Sequence, residues 1–424
     1  MLSFSGKSLR LHSLTLGPWC DMAWYYYMVL AVLIMQMLFL WHCWRNYRYA
    51  LAKYKKAHAW YPRALMIVPC KGLDPEFQKN ISSFFNQDYE GYLLWFVVES
   101  TSDPAYQELC RIRNELRLMS KARDIQVHVA GTAQTCGQKV HNLLYCCKKM
   151  PDGVEILAFA DSDACVRQAW LRHIVWPLRK SKVGASTGYR WYIPQRSNLA
   201  TLTLSVLNAK IAQLLGCTPF NQAWGGSMAI SVDVFRQMEI DKIWEKAICD
   251  DLSLSYAVKK AHKDIAFVPA CLVSSYESTT WSKLFEFARR QFLITRVAAP
   301  RTWWFGLFCS LYSVLGLYGG AALAVYAALT GAIPFGLFIT VPLVFLAGQF
   351  IRAGLRQKMA ARLLKNDLPK MKAAMVLDLV ACWLLSPLLL LLILSSACGR
   401  TIVWRGIRYK LCGPAQTVII TDTK

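Results

Sequence analysis

A chain of 424 residues that is 55% hydrophobic, with mean hydropathy +0.27, suits one or two domains and is too apolar for a purely soluble protein. Its net charge of +23, from 49 basic and 26 acidic residues, favours anionic partners or a positive-inside membrane topology. The 15 cysteines are scattered without a CxxC pair, which argues for reduced cytosolic thiols and against a disulfide scaffold.

Trp24 to Trp41 carries no charge, approaches the ~20 residues that cross hydrocarbon, and is flanked by interfacial aromatics. Arg45, Arg48, Lys53, Lys55 and Lys56 follow, so the positive-inside rule directs the next segment to the cytosol. In that segment, short apolar runs predict strands at Ala64–Val68, Leu93–Val98, Ile125–Val129 and Ile156–Phe159. Helical patterns lie between them, as at Glu76–Phe85 and Ala105–Met119. Alternation of this kind predicts an α/β domain with a mostly parallel sheet, whose ligands bind beyond the carboxyl ends of the strands. Residues 304–350 are nearly free of charge and are broken by Gly331 and Pro334, which predicts two crossings. A basic stretch from Arg352 to Lys372 follows. Ala373–Cys398 is then either one more crossing or a re-entrant segment bent near Pro387, with Asp378 expected at the interface. The positive charge concentrates at these membrane flanks without an RNA-binding motif, so no nucleic-acid partner is expected.

Asp161-Ser162-Asp163 follows the fourth strand directly. Two carboxylates one residue apart at a strand end either share a hard divalent cation with a diphosphate or serve an ordinary turn. Glu99, Ser100 and Asp103 end the second strand, where an acid holds a ribose or base, or caps a turn. Lys71 is among the polar groups that cluster at the strand ends, and Lys139 is either a phosphate contact or a solvated surface lysine. Trp224-Gly225-Gly226-Ser227 reads as a loop where backbone closely approaches another group. Asp250-Asp251 opens a helical stretch. One of the two suits an N-terminal cap, while adjacent carboxylates raise one pKa toward that of a general base. Arg289-Arg290-Gln291-Phe292 is either a diphosphate clamp or a positive-inside flank.

Taken in order, these pieces resemble the ceramide glucosyltransferase type of GT-A glycosyltransferase and its bacterial relatives. The resemblance is carried by Lys71-Gly72-Leu73-Asp74-Pro75, Phe84-Phe85-Asn86-Gln87-Asp88-Tyr89, Ser102-Asp103-Pro104-Ala105, Asp161 with Asp163, Gly225 with Ser227, Asp250-Asp251, and Trp404-Arg405-Gly406-Ile407-Arg408-Tyr409. It covers about residues 60–300 plus the tail. The departures are Glu99 or Ser100 where aspartate is usual and Phe292 where tryptophan is usual; shifting the alignment by two puts Arg290 at that position. The resemblance implies a Rossmann-like nucleotide-diphospho-sugar fold and an inverting single displacement. In it Asp161 and Asp163 bind Mg2+ or Mn2+ with the nucleotide, and Glu99 and Lys139 help hold that nucleotide. Asp251 is the catalytic base. Substrate contacts extend to Lys71, Asp103, Gly226, Ser227, Asp250, Arg289, Arg290, Gln291, Trp404 and Arg405.

The chain is therefore expected to comprise an N-terminal transmembrane helix and basic flank (1–60), a cytosolic catalytic domain (61–300), C-terminal transmembrane or re-entrant helices (301–398) and a basic tail closing on the active site (399–424). The expected protein is multi-pass (in the inner membrane if bacterial) and moves a hexose from a nucleotide-sugar to a membrane lipid such as ceramide, in glycolipid or sphingolipid synthesis. The competing functions are a processive polysaccharide synthase, which needs a translocation channel and the missing tryptophan, and a non-catalytic scaffold with a degenerate domain.

Overall fold

The computed structural model describes residues 18–54, 59–330, 335–404 and 406–420. Its centre is a seven-stranded sheet of β1 (Ala64–Pro69), β2 (Leu93–Val98), β3 (Asp124–Val129), β4 (Ile156–Ala160), β5 (Val183–Pro194), β6 (Ser227–Ser231) and β7 (Asp264–Glu277), in the order β3-β2-β1-β4-β6-β5-β7. The first four strands, parallel throughout, coincide with the predicted runs to within a residue at each end. Strand β6 is antiparallel to both its neighbours, and β5 and β7 are parallel to each other. The α/β, mostly parallel class expected from the sequence is thus the observed one.

The sheet is covered on both faces, which is why its strands read as continuous apolar runs rather than alternating ones. Along β1, Met66 and Val68 pack with Ile81, Phe84, Phe96 and Trp170, while Leu65 and Ile67 pack with Val140, Leu143 and Trp244 on the other face. All four β1 side chains are fully buried, so truncating one to alanine would cost about 2–5 kcal/mol.

Among the described residues, three helices are long and apolar enough to cross a membrane: Tyr26–Lys53, Pro300–Thr330 and Phe338–Leu363. Lys365–Ala381 and Leu385–Ser395 form a further apolar pair bent by 95°. The bend falls at residues 382–384, just ahead of Pro387, whose missing N–H is harmless in the first turn of the second helix. The expected break at Gly331 and Pro334, and the basic residues Lys55 and Lys56, lie outside the described residues. Asp378 is fully buried by protein, and both its oxygens accept from the Arg356 guanidinium at 3.0 and 2.6 Å. A carboxylate can be this deep only because its charge is paired and hydrogen-bonded.

The apolar helices sit directly against the seven-stranded sheet. Trp191 and Ile193 of β5 and Leu272 of β7 share a core with Met359, Ala360 and Leu363. The chain then ends in an antiparallel sheet of β8 (Thr401–Trp404), β9 (Ile407–Gly413) and β10 (Gln416–Ile420). Its Ile402, Tyr409 and Leu411 pack on Ile248, Cys249, Leu293 and Ile294, which brings the tail beside the start of the helix Asp250–Lys260. Cys43, Cys136, Cys146, Cys147, Cys249, Cys271 and Cys382 are buried free thiols.

Candidate active site

The sheet order reverses its direction of winding at β1 and β4, and the crevice beyond their carboxyl ends is where this kind of sheet binds ligands. Asp161 and Asp163 leave β4 into that crevice. Lys139, in the first turn of the helix Gln138–Lys149, reaches Asp161 at 2.7 Å and Asp250 at 3.1 Å. Asp250 and Asp251 are the first two residues of their helix, where the exposed N–H groups and the dipole favour carboxylates. Asp251 accepts from the Leu252 N–H at 2.7 Å and from the Gly225 N–H at 3.2 Å, which ties it to the glycine loop.

That loop is the hinge of the arrangement. A side chain at Gly225 would run into the Asp250 carboxylate and stand 2.7 Å from Lys139 Nζ. At Gly226 it would meet the Trp224 ring and come within 2.7 Å of Asp161 Oδ2. The two glycines therefore let the backbone lie against the carboxylates on both sides, as the sequence reading anticipated.

Arg190, on β5, completes the site and was not among the residues expected there. Its guanidinium stands 3.6 Å from Asp161 Oδ2 and 3.5 Å from Asp163 Oδ2, stacks over Trp224 at 4.6 Å and donates to the Tyr192 hydroxyl at 2.9 Å. The available signal was an arginine inside the apolar, aromatic run Gly188-Tyr189-Arg190-Trp191-Tyr192.

Among the described residues, Asp161, Asp163, Asp250 and Asp251 thus face Lys139 and Arg190. Burial pushes the Asp163 and Asp250 carboxyls above the usual range; Arg190 opposes this at the first and Lys139 at the second, and neighbouring carboxylates add to the rise. Burial also pulls against the Lys139 ammonium, but Asp161, Asp250 and Asp251 outweigh it and keep the lysine charged. Asp163 Oδ1 and Asp250 Oδ2 are buried without a hydrogen-bond partner. Orphaned carboxylate oxygens within a cluster of acids are what a divalent cation would satisfy. Among the described residues, no three His, Cys, Asp or Glu side chains could hold an ion by themselves, so an ion here would need ligand oxygens in addition.

The sequence profile of glycosyl transferase family 21 matches residues 24–415. The chain belongs to this family. It is therefore a glycosyltransferase that takes a nucleotide-sugar donor and an acceptor. No curated protein shows significant similarity to this family 21 enzyme. Solved structures that resemble it include a mannosyltransferase from Pyrobaculum calidifontis in complex with GDP-Man and Mn2+, at 14% identity and TM-score 0.44, covering 87% of this chain and 97% of that one. GalNAc-T7 with UDP, GalNAc and Mn2+ matches at 12% identity and TM-score 0.35, covering 55% of this chain and 51% of that one. TarS 1-349 from S. aureus matches at 11% identity and TM-score 0.34, covering 85% and 100%.

The other expected residues of the family 21 enzyme divide. Lys71 and Glu99 pair at 2.6 Å at the ends of β1 and β2. Asp103 Oδ1 accepts from Ala105 N at 2.9 Å, capping the helix Pro104–Leu116, and from Gly72 N at 2.8 Å, which fastens the loop after β1 to that helix. Ser227 is fully buried. Its hydroxyl accepts from the Trp170 indole at 2.8 Å and donates to the Cys271 carbonyl at 3.1 Å, leaving no hydrogen for a substrate. Arg289 binds the Ser395 and Cys398 carbonyls at 3.1 and 3.4 Å, holding the end of the last apolar helix, and Gln291 is exposed. Arg290 lies between Phe287 (5.6 Å) and Trp404 (5.9 Å), in touch with the tail. Arg405 lies outside the described residues.

Proposed function

We propose that the protein transfers glucose from UDP-glucose, with inversion, to a hydroxyl of a membrane lipid of the ceramide kind, at the cytosolic face of the bilayer. The observation that carries this reading is the convergence of Asp161, Asp163, Asp250 and Asp251 on Lys139, Arg190 and the Gly225-Gly226 loop, beside apolar helices packed on the same sheet.

In this reading Lys71 and Glu99 border the nucleotide, and Lys139 and Arg190 face its diphosphate. Mg2+ or Mn2+ held by Asp161 and Asp163 would supply further positive charge against the departing diphosphate. Asp250 is sealed in and held by Lys139, whereas Asp251 is half-buried at the mouth, with its carboxylate oriented by the Gly225 and Leu252 N–H groups. Asp251 is accordingly the base. It takes the acceptor hydroxyl's proton as the oxygen bonds to the anomeric carbon and the bond from that carbon to the diphosphate oxygen breaks on the opposite face. The 95° bent pair is read as re-entrant, which keeps the basic tail in the cytosol beside Arg290.

The test is transfer of radiolabelled glucose into the lipid fraction by the purified full-length protein in lipid nanodiscs. Asp251→Asn is expected to lower turnover by about 10²–10⁴-fold while leaving UDP binding intact. Full activity in that variant removes Asp251 as the base, and label appearing only in a water-soluble polymer removes the lipid acceptor.

A further inference from the structure

The two cations of the site are held differently. Lys139 is locked, because it is at hydrogen-bonding distance from carboxylates on two separate elements, 2.7 Å from Asp161 and 3.1 Å from Asp250. Arg190 is not. Its 3.5 and 3.6 Å approaches to Asp163 and Asp161 exceed hydrogen-bond length, and its firm supports are neutral: the Tyr192 hydroxyl at 2.9 Å and the Trp224 ring at 4.6 Å. It also addresses the Oδ2 atoms of both carboxylates of the DxD pair, where a divalent ion shared between them would compete with it.

We propose that Arg190 is the resident counter-cation of this pair: it neutralises Asp161 and Asp163 until a divalent ion arrives with the nucleotide, and its charge then passes to the diphosphate. The proposal rests on reading Asp161 and Asp163 as the ion-binding carboxylates. Tyr192 and Trp224 keep the guanidinium within the crevice as it changes partners, and Lys139 stays on Asp161 and Asp250 throughout. Ion and nucleotide therefore bind synergistically, because the ion alone must displace a cation that has no anion to move to. A lysine would not serve, since it lacks the planar group that stacks on Trp224 while reaching two oxygens.

The experiment uses the full-length protein in detergent. Free Mn2+ is followed by electron paramagnetic resonance with and without UDP, and UDP binding is followed by calorimetry with Mn2+ or with EDTA. Arg190→Gln is expected to tighten Mn2+ binding in the absence of UDP on the order of tenfold, and to weaken UDP binding in Mn2+ by a similar factor. Arg190→Lys is expected to leave Mn2+ binding near the wild-type level without preserving UDP binding. Effects of opposite sign on the two ligands are not produced by a merely structural role. Unchanged Mn2+ affinity in Arg190→Gln, at an unchanged melting temperature, overturns the proposal; if that variant does not fold, wild-type UDP affinity in Arg190→Lys does so. If the wild type binds no Mn2+ even with UDP, or Asp163→Asn binds it as well as wild type does, the ion-site reading falls and the proposal with it.

Discussion

A single methyl group at position 226 tests how tightly the glycine loop is fitted to the carboxylates. In Gly226→Ala the new Cβ would overlap the Trp224 ring and stand 2.7 Å from Asp161 Oδ2, closer than carbon and oxygen pack. The indole has little room to retreat, being only 8% exposed, edge-on to Tyr189 at 6.0 Å and under Arg190 at 4.6 Å. Asp161 must therefore yield, and its 2.7 Å contact with Lys139 lengthens. Overpacking of this kind costs about 1–3 kcal/mol in stability. A carboxylate misplaced by about 1 Å costs roughly 10²-fold in turnover. The assay is glucose transfer together with thermal unfolding, with Gly354→Ala as control, since nothing lies within 4 Å of that added methyl. Gly226→Ala with wild-type turnover and melting temperature would refute the close approach argued here.

Asp378→Ala leaves the Arg356 guanidinium buried without its carboxylate and is expected to destabilise by about 3–5 kcal/mol in denaturant unfolding, whereas replacing both partners with methionine should recover most of the loss. His173 is depressed to about 4 by burial and then by Arg172 and Arg167, so the folded chain keeps it neutral where the unfolded chain protonates it. Its contribution is complete above the ordinary histidine value of 6.5 and is lost as pH falls from there toward 4, so His173→Gln should flatten the pH dependence of the melting temperature in that window. Trp404→Ala removes a contact with Arg290 worth about 0.5–1 kcal/mol, and limited proteolysis is expected to release the tail faster.

The sequence was most legible where one physical signal acted alone. Strands β1, β2 and β4 are buried on both faces, so their apolar runs mark them almost to the residue. Strand β5 was not legible, because Gly184 and Gly188 dilute its pattern and Arg190 breaks it. Gly188 sits where the β5–β7 register shifts, hard against the Cys271 carbonyl and the Ser227 hydroxyl, a long-range requirement that no local reading contains. The DxD pair could be read because it follows a strand directly, and the 250–251 pair because it opens a helix. The partners of Asp103 Oδ1 and of the Ser227 hydroxyl, namely Ala105 N, Gly72 N, Trp170 and the Cys271 carbonyl, could not be read from the sequence, because polar groups near strand ends look alike there. Arg190 and Lys139 come from elements far apart in sequence, and only the fold brings them to the same carboxylate.

The most direct measurement is the anomalous scattering of manganese in crystals of the full-length protein grown with Mn2+ and UDP. The expected result is a manganese peak beside Asp161 and Asp163, with the diphosphate against Lys139 and Asp251 lining the open side. A peak away from both carboxylates, or UDP bound with Asp251 turned out of the crevice, would contradict it.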